Sequence, residues 1–240
     1  MKTVVISQPM YFPWVGMLEQ MRLADVFVHL DDAQFSKGGF FNRVQLKTAE
    51  GTPWLTVPLA ETKLGHSLNE TQMAKHDWRR KQLANLKQTY VAAPHVEEML
   101  GLVESVFEIE HKSLAALSAA SVEALAEFFD IVPAEVQWSS AMDVEGTGSA
   151  RVLAICQTLG AERYVTGHGA REYLDHESFE AAGIRVEYLD YTKQPFPQLH
   201  GPFTPFVSAL DLAANCGRAG REVIASGSVY WKNFLSRDTV

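Results

Sequence analysis

Cysteine is scarce in this chain. Its 240 residues hold two, Cys156 and Cys216, far apart and without the paired spacing of zinc or iron–sulfur ligands. That excludes a disulfide framework and points to reduced thiols. Long apolar runs are missing as well, so no window approaches the roughly 20 residues of a membrane span and no membrane partner is expected. Met1-Lys2 leads straight into strand residues without the apolar stretch of a signal peptide, and the expected compartment is the cytoplasm. Positive charge is in short supply: 21 Lys and Arg face 29 Asp and Glu, a net charge of -8. Nucleic acid is excluded as a main partner, because neutralising a phosphate backbone needs clustered basic residues. Repeats and low-complexity tracts are absent. His76, His95 and His111 lack metal-ligand spacing, and no metal site is expected.

What is present is an ordinary core-forming composition, 47% hydrophobic and 21% charged. Val4-Val5-Ile6 reads as a buried strand, and Met17 to Leu23 has the apolar spacing of a helix. Ser7 to Gly16 is then a strand-to-helix loop, stiffened by Pro9 and Pro13 and carrying the rings of Tyr11, Phe12 and Trp14. In open α/β sheets such loops border the ligand crevice. Gln8, Tyr11 and Trp14 are therefore candidate ligand contacts, although rings in such a loop also plug cores.

Asp25 to Asp32 reads as a second strand ending in two acids. Strand, helix, strand in so short a space is a βαβ unit with a right-handed crossover, so Asp31 and Asp32 share an edge with the first loop. Either acid suits a general base, a metal or a ribose hydroxyl. Phe35 to Lys47 adds a glycine pair and the donors Asn42, Arg43 and Lys47, fit for phosphate or carboxylate. Arg43 to Lys47 and Trp54 to Leu59 predict a hairpin turned by Glu50-Gly51-Thr52-Pro53. Residues 60–74 read as a loop and a candidate lid.

Helical spacing follows until Pro133, then strand and helix alternate again. The fold class this predicts is α/β: a mostly parallel sheet with flanking helices, in one domain over 1–240 with a helical subdomain or cap at about 75–132. The strand Arg163 to Thr166 runs into Gly167-His168-Gly169-Ala170-Arg171. Glycine amides at a strand end can approach an anion, and an imidazole beside them makes His168 a candidate acid or base. A proline-rich tail from Gln194 carries Gln198 and His200 as polar contacts and ends in a helix capped by Gly217.

Gln8-Pro9-x-Tyr11-Phe12-Pro13-Trp14-x-Gly16, Leu30-Asp31-Asp32-x-Gln34-Phe35, Asn42-Arg43, Trp54 to Pro58, Ala93-Pro94, Gly167-x-Gly169-Ala170 with Tyr173-Leu174, and Asn215-x-Gly217 together resemble the WbqC-like family. Ser7 stands where many members carry His, so no imidazole role transfers there. The resemblance implies a bacterial protein of O-antigen or other surface-polysaccharide biosynthesis, with a nucleotide sugar as ligand. A further likeness is to nucleotidyl-transferase-type, HUP-like cores. Trp14-x-Gly16 and Gly167 to Arg171 occupy comparable places there, without the phosphate-binding histidines.

The leading expectation is a transferase moving an acyl or aminoacyl group to a sugar-nucleotide amine. In it Asp31 or Asp32 is the base with His168 in reserve, and Gly167 and Gly169 amides serve an oxyanion or phosphate. Arg43 and Lys47 hold the diphosphate, and Tyr11 and Trp14 stack on the ligand. Gly16, Asn42, Arg171 and Gln198 complete the candidate contacts. The alternatives are a nucleotide-dependent ligase or nucleotidyl transferase, with Mg2+ only if a triphosphate is bound, and a non-catalytic binding or scaffold protein.

Overall fold

The computed structural model describes residues 1–60 and 65–237. The elements run β1 (Thr3–Ser7), α1 (Val15–Leu23), β2 (Val26–His29), β3 (Arg43–Gln45), β4 (Trp54–Thr56), α2 (Trp78–Thr89), α3 (Val96–Glu108) and α4 (Leu114–Phe128). After these come β5 (Glu135–Trp138), α5 (Gly148–Thr158), β6 (Arg163–Thr166), α6 (His176–Ala181) and β7 (Arg185–Leu189). The chain ends with α7 (Ala209–Cys216), α8 (Arg221–Ile224), β8 (Ser228–Tyr230) and α9 (Trp231–Ser236).

The main sheet has the order β5-β2-β1-β6-β7-β8. Its first five strands are parallel, and β8 closes the far edge antiparallel to β7. Because β1 is flanked by β2 on one side and β6 on the other, the winding reverses between β1 and β6. This is the topological switch point of a doubly wound sheet, where the strand ends splay and leave a crevice.

Strand side chains alternate between two apolar layers. Val5, Phe27 and Val165 face a core shared with α1, α2, α3, α4 and α7, whereas Val4, Ile6, Val26, Val28 and Val186 face α5, α6 and the C-terminal α9. The helices expected at about 75–132 are thus continuous with the core under α1. The small residues of α4 have a local reason. Ser118 and Ser121 are fully buried, and their hydroxyls serve backbone from the other end of the chain. Ser118 donates to the Phe41 carbonyl at 2.8 Å, and Ser121 Oγ accepts from the Phe12 N–H at 2.8 Å.

Phe12 holds a left-handed backbone, φ 38°, a conformation that costs about 1–3 kcal/mol and persists only where neighbours over-determine it. Ser121 fixes its N–H, and Ser208 Oγ donates to its carbonyl at 2.7 Å. The first loop is therefore clamped between α4 and the start of α7.

The predicted hairpin forms as β3 and β4, apart from the main sheet. The loop expected at 60–74 is anchored where it is described: Leu68 is fully buried, its N–H donates to Ala33, and the Asn69 N–H donates to Asp31. Residues 61–64, part of the candidate lid, lie outside the described residues. Among the described residues no helix is long and apolar enough to cross a membrane.

Candidate functional site

A cavity of about 700 Å³ opens at the switch point. Its walls are the carboxyl ends of β1 (Ser7, Gln8), β2 (Leu30, Asp32) and β6 (Thr166, Gly167, Gly169), with Gln20 of α1 and Gly146, Thr147, Gly148 and Arg151 at the start of α5. A crevice of this size takes a small ligand of nucleotide dimensions. Gln8, Asp32, Gly167 and Gly169, expected at one edge of the sheet, are brought together here.

The start of α5 is the most distinctive wall. Thr147 occupies the N-cap position, with an extended backbone, yet its side chain makes no capping bond. The first amides of the helix have no intrahelical acceptors, so they and the positive end of the helix dipole are presented to the cavity. Such an end favours an anion by about 0.3–1 kcal/mol from the dipole alone. Gly146 and Gly148 both have positive φ, 105° and 57°, which lets the backbone turn sharply into the helix.

One turn on, Arg151 donates to Asp32 through both ends of its guanidinium, Nη1 to Oδ1 at 3.0 Å and Nη2 to Oδ2 at 2.5 Å. Its Nε donates to the Val144 carbonyl, so the pair pins the α5 entry loop to the end of β2. Burial raises the Asp32 pKa, but the bonds from Arg151 and Ser139 and the Arg151 charge outweigh it and hold the carboxyl below its usual range. A carboxylate so stabilised is a weak proton acceptor. Asp31 is buried and occupied: Oδ1 accepts from Ser139 Oγ and the Ser140 N–H, and Oδ2 from Ser140 Oγ and Asn69. It ties β2 to β5 and does not line the cavity.

Gln20 is the unexpected member of the site. Only 6% of it is exposed, it lines the cavity, and its side-chain amide has no hydrogen-bond partner among the described residues. Tyr173 stands at the rim, about half exposed, and the part of it that is buried raises its pKa.

Other expected contacts are placed elsewhere by packing. The Tyr11 ring is fully buried and its hydroxyl donates to Gln82 at 2.5 Å, leaving no face for a ligand. Trp14 packs edge-on to Tyr191 and Phe206 at 5.0 and 5.9 Å, and Gly16 lies directly under its indole. Asn42 donates to the Val57 carbonyl within the hairpin. Arg43 donates to the Gly38 carbonyl and stacks over Trp54. Lys47 is buried and donates to Gln198 Oε1 and the carbonyls of Gly201 and Pro202, so Lys47 and Gln198 fasten the proline-rich tail. His168 turns away from the cavity, its Nε2 bonded to the Leu189 carbonyl at 2.8 Å and its ring against Phe234. Arg171 is exposed on the following turn, outside the cavity wall.

The residues that sequence reasoning missed had signals. Gly146-Thr147-Gly148 at the entry to a helix is a glycine-rich turn of the kind that can approach an anion, and Gln20 is polar within an apolar helical run. Among the described residues no three His, Cys, Asp or Glu side chains gather as metal ligands. Cys156 is free, buried and pushed up to about 12, which makes its thiol inert.

A family profile described as the WbqC-like protein family matches residues 8–223. The chain is 33% identical over 222 residues to the uncharacterized protein Rv1507c of Mycobacterium tuberculosis, an alignment covering 90% of this chain and 95% of the relative. No solved structure gives a significant match.

Proposed function

We propose that this chain, which belongs to the WbqC-like protein family, binds a nucleotide or nucleotide sugar through its phosphates and catalyses nucleotide-dependent group transfer or ligation. The observation that carries this reading is the uncapped N-terminus of α5, aimed into the switch-point cavity between two positive-φ glycines. The first loop lacks the histidines that hold phosphate in nucleotidyl-transferase-type sheets, and the α5 amides supply donors in their stead. Acyl transfer to an amine needs a base for the ammonium proton. Asp31, Asp32 and His168 are each committed to other partners, which favours chemistry driven by positioning and electrostatic stabilisation, as in phosphoryl transfer. The polysaccharide setting of the family resemblance agrees with a nucleotide-sugar substrate. Mg2+ would arrive with a triphosphate, since Asp32 already spends both oxygens on Arg151 and Ser139.

Thr147→Asp tests this. Aspartate is a favoured N-cap, so the helix should keep or gain about 0.5–1 kcal/mol, while the new charge and cap occupy the anion's place. Calorimetric titration with ATP, a UDP-sugar and tripolyphosphate is expected to show binding to the wild type and at least tenfold weaker binding to the variant, with an unchanged or higher melting temperature. Equal affinity in the variant, or no binding of any phosphate compound to the wild type, would remove the reading.

A further inference from the structure

Gln20 sits on α1, whose buried side chains join the core on one face of the sheet, whereas α5 packs on the other. The two reach the cavity from opposite sides, across the carboxyl ends of β1 and β6. A phosphate held at α5 therefore leaves the Gln20 end for another part of the same ligand. Nearly all the α1 neighbours of Gln20 are buried, and a leucine at position 20 would serve packing better than an amide. No described residue hydrogen-bonds the amide, which opens on the cavity.

The strand end opposite has no side chain. A Cβ built on Gly167 would meet Gln20 Nε2 at 3.6 Å, an ordinary van der Waals contact, so the strand-end backbone runs directly beside the amide. A primary amide presents one donor beside one acceptor, and its complement is a planar group with the same pair reversed. Nucleobase edges carry such pairs, and a glutamine amide reads them bidentately.

We infer that the Gln20 side-chain amide is a specificity contact that reads the edge of a nucleobase seated against Gly167, in a nucleotide whose phosphates lie at the start of α5. This deepens the phosphate reading above and rests on it.

The test compares Gln20→Leu with wild type by calorimetric titration against ATP, GTP, CTP, UTP and tripolyphosphate, together with the melting temperature of the unliganded protein. The expected result is a preferred nucleoside triphosphate whose affinity falls about tenfold to a hundredfold in Gln20→Leu. Tripolyphosphate affinity should not change, and the melting temperature should be little changed because the amide has no hydrogen bond to a described residue to lose. Unchanged nucleotide affinity, or an equal loss for tripolyphosphate, overturns the base contact while leaving the phosphate site standing. Nucleotide binding that depends on Gln20 but not on Thr147 would keep the base contact and remove the phosphate site. Failure of every nucleotide to bind wild type overturns the inference.

Discussion

Asp211→Asn is expected to raise the stability of the folded protein at pH 7 by about 2–3 kcal/mol. Asp211 stands in the first turn of α7, fully buried, and neither carboxylate oxygen has a well-formed hydrogen bond among the described residues. The Tyr90 hydroxyl beside it is equally unsatisfied. Burial pushes the Asp211 carboxyl up to about 6, against the opposing pull of Gln198, Tyr90, Lys47 and His200. In the unfolded chain an aspartate titrates near 3.9. Between roughly pH 4 and 6 the folded state therefore keeps a proton that the unfolded state releases. Stability must fall as pH rises through that window, and the deficit is complete above about pH 6.

Asparagine has the same shape and never ionises, so it should abolish that part of the pH dependence. Wild type and variant should converge near pH 4. At pH 7 the melting temperature of the variant should be higher by about 5–10 °C, the shift expected for a chain of this length. A variant less stable than wild type at pH 7 would mean that the carboxylate is paired in solution, and the origin of the effect would lie elsewhere.

The second large effect belongs to a glycine that the sequence motif presents as a ligand contact. A Cβ added at Gly16 would sit 2.0 Å from Trp14 Cζ3 and 2.3 Å from Cη2, separations no packed atoms adopt. The indole cannot simply swing aside, because Tyr191 and Phe206 hold its edges. Gly16→Ala is expected to cost about 2–4 kcal/mol through displaced aromatic packing. With the ring gone the sign should reverse, since alanine is favoured over glycine in a helix by about 1 kcal/mol. Chemical denaturation of Gly16→Ala, Trp14→Ala and the double variant measures this as a coupling energy. Additive effects would show that the clash is relieved without cost. A stable Gly16→Ala protein with impaired ligand binding would return Gly16 to the site.

The backbone plan was legible from local pattern. Apolar runs bounded by loops marked β1, β2 and β6, helical spacing marked α1 to α4, and a short strand–helix–strand run implied parallel pairing. These signals are local, and neighbours in sequence carry them. The short C-terminal β8 offers almost no such signal. As an edge strand, its place comes from pairing with β7.

The site divides along the same line. Sequence alone placed the first loop and the acids after β2 at one edge, because parallel strands send their carboxyl ends the same way, and the pairing of β6 with β1 brings the glycines after β6 to that edge. Only the tertiary structure decided which side chains enter the crevice. Asp32 meets Arg151, Asp31 meets Ser139 and Ser140, and Lys47 meets Gln198, all across long stretches of chain. Each pairing follows from how the crossovers lay helices on the sheet and which rings fill the space beneath them. Tyr11 went inward because α4 and α2 closed over it, and Gln20 was left facing the cavity because no described residue reaches its amide. Periodicity tells a residue which face of its own element it occupies; what lies opposite that face is settled by packing.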